Sequence, residues 1–220
     1  MTVAAMPCRA ASLLAPFFAA LSSGLRGDEE PLAEDAILRL VEAARAGDTG
    51  ARQALYQQHV DRVFRTVRGM LSSDADAEDA TQDAMLTVLT SLRTFRPRPD
   101  TRFAAWVTTI AVNTVRRRFR RRRPEPTATG ELPDLPGDES DPADALDRAR
   151  RRRALLIALA ELSEREREIV SLRYGAELNA TEIGTAVGVG PAAVRKMLER
   201  ARIRLGERID GLLRPEGAVS

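Results

Sequence analysis

From Leu32 onward, large apolar residues return at three- and four-residue intervals, and no stretch alternates long enough to specify a strand. An all-α protein is expected. Leu40, Val41, Ala44, Leu55, Tyr56, Val60, Val63, Phe64 and Val67 keep this spacing. It is broken at Gly47-Asp48-Thr49-Gly50, which predicts two helices joined by a tight turn. A third helix over Asp74 to Leu92 carries acids in its first turn, where negative charge suits the positive end of the helix dipole. Arg96-Pro97-Arg98-Pro99-Asp100 then forces an extended loop, because each proline also restricts the residue before it. A fourth helix is expected from Thr101 to Arg122, apolar at Phe103, Trp106, Val107, Ile110 and Ala111 and basic at its far end.

Pro124 to Asp144 is rich in proline, acids and small residues, with Leu132 and Leu135 as its large apolar side chains, and reads as a flexible acidic linker. Four short helices are expected beyond it. Ser163-Glu164-Arg165-Glu166 and Asn179-Ala180-Thr181-Glu182 each place a short side-chain oxygen three residues ahead of a glutamate, the pattern of a capping box. After Ile183 the chain reads Gly-Thr-Ala-Val-Gly-Val-Gly-Pro, a short helix, a glycine turn and a proline opening the next helix. This is a helix-turn-helix, whose second helix enters the DNA major groove. The expected organisation is an N-terminal extension over 1–31, expected to be disordered, then a helical domain over 32–123. The linker follows over 124–144, a second helical domain over 145–213 and a tail over 214–220.

The net charge of +2 over 220 residues suggests no particular partner, but its distribution does. Arginines cluster at 116–123, 150–153 and 195–208, and acids at 74–83 and 125–147, which implies different partners for different faces. Lys196 is the only lysine, and arginine favours forked contacts to phosphate and guanine. One cysteine, Cys8, and one histidine, His59, allow neither a disulfide nor a Cys/His metal site within one chain. The apolar stretch from Ala10 to Leu21 is interrupted by Pro16 and is shorter than the ~20 residues a membrane span needs. With no Walker loop, nucleophile–base pair or metal cluster, the chain is expected to be a cytoplasmic, non-enzymatic protein without cofactor or stable membrane insertion.

The order of these features matches something more specific. Asp76 to Leu86, Phe103-Ala104-Ala105-Trp106-Val107, and Ile110-Ala111-Val112-Asn113 with its arginine run together resemble domain 2 of the extracytoplasmic-function sigma factors of bacterial RNA polymerase. Leu159 to Arg167, Leu178 to Gly184 and Arg200-Ala201-Arg202 resemble domain 4 of the same family, so the likeness runs from about Leu40 to Leu205.

The resemblance implies an alternative sigma factor that binds core RNA polymerase, recognises minus-35 and minus-10 promoter elements and promotes melting. It also implies control by an anti-sigma factor. Asp76, Asp79, Gln82 and Asp83 would meet an arginine-rich coiled coil of the polymerase through charge-assisted bonds. Arg98, Asp100, Thr101 and Arg102 fall in the segment that captures a flipped base. Asn113, Arg116, Arg117 and Arg120 would follow the minus-10 strand. Trp106 and Phe103 are expected in the core rather than stacked on bases.

In the recognition helix, Ala192, Arg195, Lys196, Glu199 and Arg200 would face the minus-35 element, with Val194 and Leu198 turned inward. Arg195 suits guanine and Glu199 suits cytosine. The linker acids Asp134, Asp138, Glu139 and Asp141 would imitate the charge of nascent RNA. The chain departs from the family pattern at Gly190-Pro191-Ala192-Ala193, Met197 and Glu199, so promoter sequence cannot be transferred from relatives. Two other readings stay open at this point: a dimeric helix-turn-helix repressor or activator, and an interaction protein that mimics a sigma factor.

Overall fold

A computed structural model of the chain describes residues 32–71, 73–98, 102–121 and 142–214. The expected extension, most of the linker, Asp100 and Thr101 lie outside these residues. The described residues form eight α-helices: α1 (Glu34–Arg45), α2 (Thr49–Met70), α3 (Asp74–Ser91), α4 (Phe103–Arg121), α5 (Pro142–Ala160), α6 (Glu164–Val170), α7 (Ala180–Val187) and α8 (Pro191–Leu213). A single 3₁₀ turn, Leu92–Thr94, ends α3, and a π turn, Ser171–Gly175, extends α6. The second domain was expected as four short helices; α5 and α8 are instead long, at 19 and 23 residues.

Local chemistry explains most of the boundaries. Asp48 and Ser73 cap α2 and α3 by accepting the backbone N–H groups of Ala51 and Asp76. Arg45 donates to the carbonyls of Leu92 and Phe95, placing a cation where α3 ends. Arg68, almost wholly buried, pairs with Asp74 and donates to the Leu71 carbonyl, tying the end of α2 to the start of α3. The Glu34 carboxylate accepts the backbone N–H of Phe103 at 2.6 Å and so holds the start of α4 against α1.

The N-terminal helices α1 to α4 bury Val41, Leu55, Val63, Val67, Met85, Val88 and Phe103 in one core. Phe95, Phe103, Trp106 and His59 meet there as a ring cluster, with Phe95 edge-on to Phe103 at 4.9 Å. That core does not stop at the domain boundary. It continues through Ile169, Leu172, Ala176, Leu178, Ile183, Val187 and Val194 of the second unit, so the two units are docked rather than independent. A second, smaller cluster of Leu155, Leu159, Leu162, Val170, Leu205 and Ile209 clamps α5 to α8.

Candidate nucleic-acid interface

On α3, residues spaced by three and four share a face, and Asp79, Gln82, Asp83 and Leu86 are all exposed there. Ala77, Ala80, Ala84 and Val88 fill the opposite, buried face. Asp76 is half-buried in the first turn. The stripe is steadied from α4 by Arg118, which lies 2.8 Å from Asp83 and 3.9 Å from Asp79. Leu86 is 64% exposed, a large apolar side chain beside carboxylates, and alone among these positions was not singled out from sequence.

The residues assigned to the minus-10 element are distributed less simply. Arg98 is exposed, while Asp100 and Thr101 lie outside the described residues. Phe103 is fully buried and Trp106 packs on it, as expected for core residues. Along α4, Asn113, Arg117 and Arg120 are exposed. Arg116 is half-buried; it reaches Asn113 Oδ1 at 3.4 Å and Glu168 Oε1 at 2.5 Å. Arg102 is held by Glu182, with Nε to Oε1 at 2.8 Å and Nη2 to Oε2 at 3.0 Å.

Both expected capping boxes are present. Ser163 and Glu166 open α6, and Asn179 and Glu182 open α7. Gly188 closes α7 in the left-handed region at φ 74°, and Pro191 occupies the first turn of α8. At Gly184 a Cβ would lie 2.6 Å from the Val189 carbonyl oxygen, so the turn needs glycine for close approach. On α8, Ala192, Arg195, Lys196, Glu199 and Arg200 are exposed, Val194 is buried and Leu198 half-buried. Arg204 is held within the unit by both oxygens of Glu166. The linker acids Asp134, Asp138, Glu139 and Asp141 lie outside the described residues.

Charge is redistributed where the units meet. Burial acts to raise the Glu182 carboxyl, but the Arg102 side chain and the Asn179 backbone N–H hold it below the usual carboxylate value. The Glu182 hydrogen bond raises Arg102. Burial lowers Arg62, whose Nη1 donates to the Ala176 carbonyl at 2.7 Å. His59 is pushed down to about 4 by burial and then by Arg62. No helix among the described residues is long and apolar enough to cross a membrane.

Two sequence-family models match in the order the helices suggest: Sigma-70 region 2 over residues 55–125 and Sigma-70, region 4 over residues 158–206. The two helical units thus correspond to the two conserved regions of the sigma-70 family. The chain is 34% identical over 174 residues to RNA polymerase sigma factor CarQ of Myxococcus xanthus, covering 76% of this chain and 94% of that protein. It is 34% identical over 167 residues to ECF RNA polymerase sigma factor BldN of Streptomyces coelicolor, covering 75% of this chain and 62% of that one. It is 30% identical over 184 residues to ECF RNA polymerase sigma factor SigG of Mycobacterium tuberculosis, covering 73% and 48%. The chain thus spans less than two thirds of BldN and SigG.

The solved structure of CnrH in complex with the cytosolic domain of CnrY aligns with a TM-score of 0.57 at 25% identity, over 79% of this chain and 96% of that chain. RpoE, solved with the anti-sigma factor NepR from Bartonella quintana, shares the fold at a TM-score of 0.53 and 19% identity, over 80% and 96%. The chain belongs to the extracytoplasmic-function sigma factors of the sigma-70 family.

Proposed function

We propose that this chain binds core RNA polymerase through α3, reads a minus-35 element with α8, and opens and holds a minus-10 element with α4 and the segment before it. The observation that carries this reading is the pair of outward faces. An acidic stripe of Asp79, Gln82 and Asp83 lies in the region 2 unit, and a basic face of Arg195, Lys196 and Arg200 lies on the helix that Pro191 opens in the region 4 unit. The stripe suits an arginine-rich partner through charge-assisted bonds, and the basic face suits phosphate and base edges.

In this reading the protein is a dissociable specificity subunit without chemistry of its own, acting in the cytoplasm. Its release is controlled by an anti-sigma factor, the kind of partner with which RpoE was solved.

Run-off transcription with purified core polymerase on genomic fragments tests it. Transcripts that require the wild-type chain and vanish with Asp79→Arg/Gln82→Ala support the proposal. Protection of a palindromic site by the chain alone, with no transcript, favours a repressor instead.

A further inference from the structure

Helix α1 contributes no residue to the acidic stripe of α3 or to the basic face of α8, yet its two ends hold the two flanks of the segment between α3 and α4. At its start, Glu34 Oε1 accepts the Phe103 backbone N–H at 2.6 Å. At its end, Arg45 Nη2 donates to the Phe95 carbonyl at 2.5 Å, and Nε and Nη2 donate to the Leu92 carbonyl at 3.0 and 2.9 Å. Glu42 takes Arg45 Nη1 at 2.5 Å, so every nitrogen of the planar fork is engaged. Phe95 and Phe103 are eight residues apart in sequence, and their partners on α1 stand 50 and 69 positions earlier.

Local chemistry does not supply the first of these bonds. The residue ahead of α4 is Arg102, whose carbonyl accepts from Ala105 and Trp106 as that of a capping residue does. Its side chain carries donors only and cannot serve the N–H groups of the first turn. Glu34 stands in for that missing cap from another helix, and its charge suits the positive end of the α4 dipole. At the other flank, Arg45 takes the carbonyl of Leu92 and shares that of Phe95 with Arg96.

Placement turns the two bonds into a brace. Glu34 and Arg45 are the first and last residues of a 12-residue helix, about 17 Å apart along its axis. Ile37, Val41 and Ala44 bury the face of α1 between them, so packing in the core fixes both ends. A chain of eight residues can place its ends anywhere up to about 28 Å apart. The separation of Phe95 and Phe103 is therefore set from outside the segment, by α1 and by the edge-on contact of the two rings at 4.9 Å.

We infer that α1 is the brace of this segment, and that Glu34 and Arg45 are positioning residues for opening the minus-10 element, fixing the flanks that carry Arg98 and Arg102 before DNA arrives. Both act through the backbone they hold rather than by touching nucleic acid. The gain is preorganisation, since a flank already held loses little further freedom on binding. The inference rests on the proposed assignment of the segment before α4 to the minus-10 element.

Full-length Glu34→Ala, Glu34→Gln, Arg45→Ala and the double variant Glu34→Ala/Arg45→Ala are compared with Arg39→Ala, a control at an exposed position of α1. Glu34→Gln and Glu34→Ala remove the same charge, but glutamine keeps an oxygen for the Phe103 N–H. Trypsin reads the brace without DNA. Arg96 and Arg98 precede proline and resist it, which leaves Arg102–Phe103 as the tryptic bond of the segment. Its initial cleavage rate follows the population in which the Phe103 amide is released, and mass spectrometry counts the new Phe103 end. Opening is read in holoenzyme by stopped-flow fluorescence of 2-aminopurine, placed in the minus-10 segment of the genomic fragment with the strongest run-off transcript. Core-polymerase capture and helix content by circular dichroism are measured on every variant.

The double variant is expected to be cleaved about fivefold faster and to open the promoter about fivefold more slowly, as when the held form falls from most of the population to about a fifth. Capture and helix content are expected to stay unchanged. The single alanine variants should fall between, with Glu34→Gln and Arg39→Ala near wild type. Should the double variant lose helix content, the alanine and glutamine variants of Glu34 decide. Unchanged cleavage overturns the brace. Faster cleavage with unchanged opening overturns the positioning role. Loss of polymerase capture in step with opening, or Glu34→Gln as impaired as Glu34→Ala, overturns it as well, by exposing a general folding or charge effect. If no fragment is transcribed, the minus-10 reading fails and the positioning role with it, whereas faster cleavage would still show the brace.

Discussion

Glu182 serves two partners at once: its Oε2 accepts the backbone N–H of Asn179 at 2.9 Å, and its Oε1 accepts Arg102 Nε at 2.8 Å. The first bond starts α7, the helix that positions the recognition helix. The second reaches across to the N-terminal unit. Start of helix and docking of units are thereby linked through one buried carboxylate.

Changes at this cap should be graded. Asn179→Ala removes the side-chain oxygen that accepts from Thr181 and Glu182, and is expected to cost about 1 kcal/mol. Glu182→Gln should cost less than Glu182→Ala, because glutamine keeps the bond to the Asn179 backbone. Urea midpoints compared across the three variants check the order.

His59 should give the stability a pH dependence separable from that of the carboxylates. Its folded value is about 4 against an ordinary 6.5, so the folded chain refuses a proton that the unfolded chain accepts. The resulting stabilisation is full above pH 6.5 and is lost as pH falls toward 4, by at most about 3 kcal/mol. Wild type should lose stability over this window, and His59→Leu should lose less. Denaturant unfolding at pH 7 and pH 4.5 reads the difference.

Gly184→Ala should damage the helix-turn-helix without touching the α8 residues proposed to face DNA. The added methyl would sit 2.6 Å from the Val189 carbonyl oxygen, which is backbone and cannot rotate away. A loss of about 1–3 kcal/mol is expected from such overpacking. Thermal unfolding measures it, and weaker minus-35 binding should accompany it.

The acidic stripe should matter to binding and little to folding. Asp83 is exposed and its pairing with Arg118 is a surface contact, so Asp83→Ala should change stability by less than about 1 kcal/mol. Leu86→Ser should also be well tolerated by the fold, since the side chain is largely in solvent. Both should weaken capture of core polymerase in a pull-down or by fluorescence titration.

The exposed arginines should divide into two kinds. Arg195→Ala should relax preference at one base pair, at about 1–3 kcal/mol of discrimination. Arg117→Ala and Arg120→Ala should weaken binding to all sequences alike and lower the salt dependence by about one phosphate contact each. Binding of holoenzyme to promoter variants across a salt series separates the two.

What could be read directly from the chain was local. The capping boxes at Ser163–Glu166 and Asn179–Glu182, the turn at Gly188, the proline opening α8 and the inward Val194 each follow from rules that span a few residues. The α3 stripe was legible for the same reason, since spacing of three and four sets a helical face. The long-range partners were not.

Glu182 read as a cap, and its second partner lies 80 residues earlier in the chain. No rule of local sequence singles out Glu168 of α6, yet it is buried against Arg116, 52 residues away. Gly175 resembles any turn glycine until Thr66 is seen against it. Helix propensity, periodicity and capping are properties of neighbours in sequence, so the chain determines its helices and their outward faces by itself. Which arginine meets which carboxylate depends on how the finished helices pack, and only the tertiary structure decides that.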